Sequence, residues 1–252
     1  MSFLSKIFGK SSQVSQTNIP FDNPIQVEFH SHLVFGVDDG CQTIEQSIEL
    51  IKGFADMGMR KIITTPHVMS DFYKNSKENL FPLRDQIRAE LKLQNIPIEF
   101  DVAAEYMIDD GFERKIAEGN LLTFGPDDKH ILIELPFMNE PPNLSSALFE
   151  LQIAGYQPIL AHPERYLYYN NERNKFHELK DRGILFQLNM LSCVGYYSKQ
   201  VQEAAQYLIN NQLVDLVGSD THNIKHQQIL QDVLQNKLFH KVCEAELLNN
   251  NL

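Results

Sequence analysis

Residues 25–58 read IQVEFHSHLVFGVDDGCQTIEQSIELIKGFADMG. Two periodicities meet here. Ile25–Phe29 is a short apolar run suited to a strand, while the segment after Thr43 puts Ile44, Ile48, Ile51 and Ala55 on one helical face. Thr43 with Gln46 three residues later is a capping-box signature, and Gly58 closes the helix. Between strand and helix stand His30, His32, Asp38 and Asp39. The stretch is one strand–loop–helix unit with its polar residues at the C-terminal end of the strand.

The unit recurs. Lys61–Thr65, Ile98–Ala103, His130–Leu135, Pro158–Ala161, Ile184–Asn189 and Leu213–Gly218 read as further strands. Helical faces fall between them: Leu80, Leu83, Ile87 and Leu91; then Leu144, Leu148 and Leu151, capped by Asn143 and ended by Gly155. Further helices cover about residues 171–182, run through Val201, Ala205 and Leu208, and form a tail beyond Ile224. Such alternation implies parallel strands joined by crossover helices. Seven strands favour a closed barrel; an open sheet is the alternative.

The chain has 252 residues, 43% hydrophobic and 22% charged, enough for one large domain with a full core. We divide it into a flexible tail over residues 1–24 and a folded domain over 25–252. Residues 1–8 carry a few apolar side chains and residues 9–18 are rich in Ser and Gln, so the tail reads as mobile, with a short amphipathic anchor as the sharper alternative. No apolar run approaches the ~20 residues of a membrane-spanning helix, and the start lacks the layout of a secretory signal. A soluble, cytoplasmic protein is expected. Cys41, Cys193 and Cys243, odd in number and widely spaced, suggest free thiols in a reducing compartment. A formal charge of −11 argues against nonspecific nucleic-acid binding.

The ends of the strands carry the chemistry. Strand one ends in His30 and His32, strand two runs into His67, and strand three into Glu105. Strand four carries Glu134, strand five ends in His162-Pro-Glu-Arg165, and strand seven in Asp220-Thr-His222. Five of the nine histidines would thus face one mouth of a barrel, where enzymes of this architecture build their sites. Residues i and i+2 of a strand share a side, so His30 and His32 can converge on one cation, as can Asp220 and His222. Crowding Asp39, Glu105, Glu134 and Asp220 into one cavity without cations would be unfavourable. Taken singly, an H-x-H can be a polar strand end, His67 or His162 a hydrogen-bonded histidine, and D-D-G a turn. Six strand ends supplying ligand-type side chains together point to a multinuclear metal site. Arg165 at its rim suits a phosphate, with a salt bridge to Glu164 or a surface acid as the plain alternative. His130, His177, His226 and His240 are assigned to the surface or to supporting positions.

The pieces FHSHLVFGVDDG, TTPHVMSDFY, AAEYMID, ILIELP, AHPERY and GSDTHN, spread over residues 28–223, resemble the polymerase-and-histidinol-phosphatase (PHP) family of metal-dependent hydrolases. More closely, they resemble the bacterial tyrosine-protein phosphatases of capsule and exopolysaccharide operons. The resemblance implies a distorted (β/α)₇ TIM-like barrel with its metal site at the C-terminal mouth of the strands. It implies three divalent metal ions, manganese or iron, with zinc a further option. The ligands carried over are His30, His32, Asp39, His67, Glu105, Glu134, His162, Asp220 and His222, and Arg165 would hold the substrate phosphate. Arg165, Asp220 and His222 form the implied catalytic set. The implied partner is a phosphotyrosine protein, a bacterial tyrosine-kinase tail, which would bring the enzyme to the inner membrane face.

Two positions depart from the family pattern. Glu28 stands where aspartate is usual and is expected to point away from the site. Lys225 and His226 stand where a further arginine is common, making Lys225 a candidate second phosphate-binding cation.

The expected reaction is phosphomonoester hydrolysis without a covalent enzyme intermediate. Cysteine-based phosphatase chemistry requires an arginine six positions after the nucleophile, and those positions hold Ser47, Lys199 and Asn249. Rival readings are a histidinol-phosphate or other small-molecule phosphatase, an amidohydrolase-type binuclear hydrolase, and a non-catalytic metal-stabilised binding module.

Overall fold

The computed structural model describes residues 23–252; of the tail expected over 1–24, residues 1–22 lie outside the described residues. Asn23 and Pro24 are tied to the fold: Asn23 Nδ2 donates to the Met57 carbonyl at 3.1 Å, and Asn250 Nδ2 donates to the Pro24 carbonyl at 2.8 Å.

Strands and helices alternate along the chain. They run β1 (Val27–Glu28), α1 (Ile44–Asp56), β2 (Lys61–Thr64), β3 (His67–Val68), α2 (Lys77–Leu93), β4 (Glu99–Val102), β5 (Glu105–Met107) and α3 (Phe112–Glu118). The second half holds β6 (His130–Glu134), α4 (Leu144–Ile153), β7 (Gln157–Ala161), α5 (Asn174–Asp181), β8 (Leu185–Asn189), α6 (Lys199–Asn210), β9 (Leu216–Gly218), α7 (Ile224–Val233) and α8 (Lys237–Cys243). Helix α1 begins as its sequence requires, the Thr43 hydroxyl accepting from the Gln46 N–H. The reciprocal bond is displaced by one residue, because Gln46 Oε1 accepts from the Gln42 N–H instead. Helix α3 escaped the sequence reading: it has seven residues and buries only Phe112 and Ile116, too few for a period to show.

All strand pairs are parallel, in two sheets ordered β1-β2-β4 and β3-β5-β6-β7-β8-β9. β2 and β3 are halves of one strand broken at Thr65-Pro66, where the proline has no N–H to give. β4 and β5 are likewise halves of one, broken at Ala103-Ala104. Past the end of β1, Ser31 bridges in parallel to Thr221, and the His32 N–H donates to the Thr221 carbonyl at 2.9 Å. The last strand therefore lies beside the first, and the seven strands form the distorted (β/α)₇ barrel. Both sheet breaks fall just before a proposed ligand (His67, Glu105).

Val27, Phe29, Ile63, Ala103, Leu132, Ile159, Ala161 and Leu216, drawn from strands all round the ring, form one buried cluster, the barrel's filling. A larger cluster lies between strands and helices. The C-terminal segment closes the bottom. Leu248 and Leu252 pack on the filling, and the buried Asn249 amide donates to the Val27 and Val217 carbonyls and accepts from the Val217 N–H. Filling and floor hold the strands rigidly, so residues at the opposite ends keep fixed positions.

Candidate metal centre

Nine acidic and imidazole side chains meet at the C-terminal mouth. They form four overlapping groups whose ligand atoms lie within 4.8 Å of one another: His32, Asp39, His67 and His222; His30, His32 and Asp220; His30, Glu105 and His162; His67, Glu105 and Glu134. These are the nine residues proposed from the sequence. Glu105 is the hub, with its carboxylate 3.1–3.5 Å from ring nitrogens of His30, His32, His67 and His162. Asp220 Oδ1 lies 3.4 Å from His30 Nε2 and 3.2 Å from His32 Nε2. Asp39, half-exposed at the rim, sits 3.6 Å from His67 Nε2 and 3.5 Å from His222 Nε2.

Close as they are, several of these atoms make no hydrogen bond. His30 Nε2, His32 Nε2, His67 Nδ1, both oxygens of Glu105 and Glu134 Oε2 are buried without a partner. Buried polar atoms are ordinarily paired, so unpaired atoms facing a common point mark a place built for something else. Two of the rings are anchored from behind. His30 Nδ1 meets Gln187 Oε1 at 2.8 Å and His32 Nδ1 meets Asp38 Oδ2 at 2.8 Å. Engaging Nδ1 in this way presents the Nε2 lone pair to the centre, the usual arrangement behind a metal-binding histidine. The donor set, imidazole nitrogen and carboxylate oxygen at mutual contact, fits divalent transition metals.

Backbone geometry reinforces this. His162 and Asp220, each just past a strand end, have φ of 33° and 52°, left-handed values that side-chain-bearing residues seldom adopt. Gly218 leaves room for the cluster: a Cβ there would stand 2.7 Å from His30 Cβ.

Charge is strongly redistributed. Burial opposes ionisation of Glu105, but His30 and the other imidazoles around it hold it well below the usual carboxylate range. Burial, with Glu105 adjacent, pushes Glu134 up to about 8. Burial likewise opposes charge on His30 and His67, yet the carboxylates outweigh it and raise them to about 9 and about 10. His162, buried and facing Arg165, drops to about 4. Carboxylates of one site pushed in opposite directions are typical of functional clusters.

Arg165 stands at the rim. Its Nη1 donates to Asp220 Oδ2 at 2.7 Å, and its guanidinium lies 4.7 Å from the Phe137 ring centre and 4.2 Å from that of Tyr197. The alternative pairing with Glu164 is absent: that carboxylate is buried and accepts from the Asn189 N–H and the Ser192 hydroxyl. A pocket of about 330 Å³ opens here, lined by Asp39, His67, Glu134, Arg165, Asp220 and His222 with Phe137, Tyr197, Asn223 and His226.

Other expectations change. Glu28 is no bystander. Two residues before His30, Glu28 shares its side of the strand rather than pointing away, and its Oε1 accepts from the backbone N–H groups of His30 and Ser219 at 3.0 Å each. It pins the first and last strands together behind the site. Lys225 is exposed, its Nζ 5.8 Å from the Tyr196 ring centre, and it does not line the pocket; His226 does. His177 binds Tyr207, and His130 packs beside Phe124.

Gln187, Asn189, Phe137 and Tyr197 went unread in the sequence, and Asp38 was read only together with Asp39 in the D-D-G stretch. Gln187 and Asn189 did carry a signal, polar residues at i and i+2 closing an otherwise apolar strand, as in the H-x-H. Asn189 Nδ2 donates to Asp220 Oδ2 at 3.1 Å and to the Tyr197 hydroxyl at 2.8 Å.

Fold and site together define a parallel α/β enzyme with a candidate metal centre at the C-terminal ends of its strands. A family described as capsular polysaccharide synthesis, CpsB/CapC, matches residues 26–248, and the chain belongs to this family. The tyrosine-protein phosphatase YwqE of Bacillus subtilis strain 168 is 31% identical over 234 residues, 89% of this chain and 92% of its own. The tyrosine-protein phosphatase CpsB of Streptococcus pneumoniae is 27% identical over 241 residues, 89% of this chain and 96% of its own. A crystal structure from work on YwqE and CpsB, described there as metal-dependent tyrosine phosphatases, superposes with a TM-score of 0.77 at 30% identity, covering 90% of this chain and 95% of that one. A histidinol phosphate phosphatase from Lactococcus lactis subsp. lactis Il1403 superposes at 0.53 with 13% identity, covering 83% and 92%; that likeness is one of fold.

Proposed function

We propose that the protein is a metal-dependent protein-tyrosine phosphatase that acts on a phosphotyrosine-bearing protein in capsule or exopolysaccharide synthesis. The observation that carries this is the convergence of unpartnered ligand atoms beside Arg165 in one open pocket. The relatives' activity supports it.

His30, His32, Asp39, His67, Glu105, Glu134, His162, Asp220 and His222 are the proposed ligands of three divalent cations, with manganese preferred over iron or zinc. When bound, such cations supply positive charge to a phosphoryl group and acidify water. Gln187 and Asp38 fix the His30 and His32 rings, so neither must reorient during turnover. Arg165 carries five N–H donors. One is held by Asp220, which aims the rest of the fork along the rim, where the equatorial oxygens of a bound phosphate gather charge. A tyrosine leaving group, of pKa ~10, departs with less proton assistance than an alkyl alcohol. The small-molecule alternative has only fold-level likeness behind it.

Among the described residues no helix is long and apolar enough to cross a membrane. In our reading the substrate is the phosphorylated tail of a bacterial tyrosine kinase, met at the cytoplasmic face of the membrane.

The test compares turnover of a phosphotyrosine peptide, the matching phosphoserine peptide and histidinol phosphate, with manganese and after chelation. Preference for the phosphotyrosine peptide, abolished by chelation, is expected; preference for histidinol phosphate would overturn the substrate assignment. Arg165→Ala should keep its metal by elemental analysis yet lose roughly 10²–10³-fold in kcat/KM, the scale for one transition-state donor. Full activity in that variant would remove Arg165 from the mechanism.

A further inference from the structure

Phe137 lies in the loop after β6, three residues beyond Glu134, and the residue remains 43% exposed. It borders the same pocket as His67, Glu134, Arg165, Asp220 and His222. Its buried part is accounted for: it covers the Arg165 guanidinium, stacks on His162 with ring centres 5.7 Å apart, and touches Tyr166 at 5.8 Å. Among the described residues the exposed part has no such role. Tyr197 also lies against the Arg165 guanidinium, 4.2 Å from its ring centre, with its hydroxyl bonded to Asn189 Nδ2 at 2.8 Å. Phe137 and Arg165 line one pocket, so a phosphate held by Arg165 would have its ester group within reach of the exposed side of Phe137.

We propose that Phe137 is a specificity-determining residue: its exposed ring is an aromatic wall against which the aryl ring of a phosphotyrosine packs while Arg165 holds the phosphate. The inference rests on the phosphotyrosine reading above and adds to it how an aryl ester is told from an alkyl one. Metals and arginine recognise only the phosphate, common to every phosphomonoester. Discrimination must come from a group that meets the leaving group, and an aromatic pair supplies more than equal apolar area would. The wall selects for a planar ring over the short polar arm of a serine ester.

The test uses metal-loaded full-length protein and its Phe137→Ala and Phe137→Tyr variants, with metal content and Tm checked. Substrate is a phosphotyrosine peptide, and inorganic phosphate is the competing inhibitor, since it binds Arg165 but carries no ring. Phe137→Ala should lower kcat/KM for the peptide by roughly three- to tenfold, mainly through KM, the scale of one aromatic pair. Inhibition by phosphate should be unchanged, and Phe137→Tyr should restore the wild-type KM. If phosphate inhibition weakens by the same factor as peptide turnover, Phe137 merely positions Arg165 and the inference fails. It fails equally if Phe137→Ala leaves KM untouched. A wild-type enzyme inactive on the peptide but active on histidinol phosphate would sink the function reading first and this inference with it.

Discussion

The two ends of the barrel solve the same problem in opposite ways. Both bury polar groups at strand termini. At the bottom the accounts close within the chain wherever the C-terminal segment reaches, with His130 Nδ1 at the start of β6 left unpaired: Asn249 satisfies Val27 and Val217, Asn250 Oδ1 accepts from the Gln26 N–H, and Lys61 Nζ donates to the Leu252 carbonyl. At the mouth they do not. Six ligand-type atoms of His30, His32, His67, Glu105 and Glu134 are buried and unpaired, each at a cost of about 1–3 kcal/mol in a protein standing alone. A chain that completes its floor with an asparagine and leaves its mouth incomplete has a mouth meant to be completed from outside. Metal cations held there would do so, turning mutual repulsion of carboxylates into shared attraction.

The contrast can be broken most sharply at Glu105. Glu105→Ala removes the hub that touches four imidazoles, and we expect loss of most bound metal by elemental analysis. Turnover should fall by on the order of 10³-fold or more, above the cost of losing a single donor. Metal content and activity near wild type would show the mouth to be an ordinary polar surface.

Protons offer an intermediate probe. In the metal-free protein the carboxylates overcome the effect of burial and raise His30 and His222 to about 9 and His67 to about 10. At pH 7 these rings carry protons that a metal must displace, so loading should release protons and apparent affinity should rise about tenfold per pH unit for each one displaced. The stability sign follows the same shifts. Folded values above the unfolded ~6.5 mean that this contribution is full below that pH and fades as pH rises through 9–10. Calorimetry in buffers of different ionisation enthalpy counts the protons, and the Tm of chelated protein should fall between pH 7 and 10. No proton release would mean that the rings are neutral before metal arrives.

The smallest change belongs at the floor. Asn249→Ala leaves two buried carbonyls and an N–H without partners and should cost about 1–3 kcal/mol, read as a lower denaturant midpoint. Metal content and kcat should stay within about twofold of wild type, since one strand-end partner is replaceable by local relaxation without moving the far rim. Loss of metal in this variant would mean that the two ends are coupled.

Much of this was legible in the amino-acid order. Strand–helix alternation, the capping at Thr43 and the ligand-type residues at strand ends follow from local periodicity, which one chain displays without help from its fold. Eight of the nine candidate ligands stand at strand ends, which a parallel barrel sends to one mouth, and the full set with Asp39 followed from the family resemblance. Asp38 and Asp39 mark where that logic stops. Adjacent and chemically identical, one is buried behind His32 and the other half-exposed beside His67 and His222, a division made by loop conformation. Phe137 reads as any exposed aromatic until Arg165 is seen beneath it. Glu28 stands two residues before His30 and so on its side of the strand, but only the folded chain shows its carboxylate bonded to the backbone behind the ring rather than aimed at the centre.

The sequence alone determined the barrel's repeating unit, the chemistry gathered at its mouth and the family. Tertiary structure alone decided which amides and acids stand behind the histidines, that Arg165 lies against two rings, and that the C-terminal segment forms the floor. Periodicity and residue type are local properties, carried by each short stretch of chain. Orientation around a shared point arises only when stretches about two hundred residues apart, such as His30 and Asp220, are held against each other by a packed core.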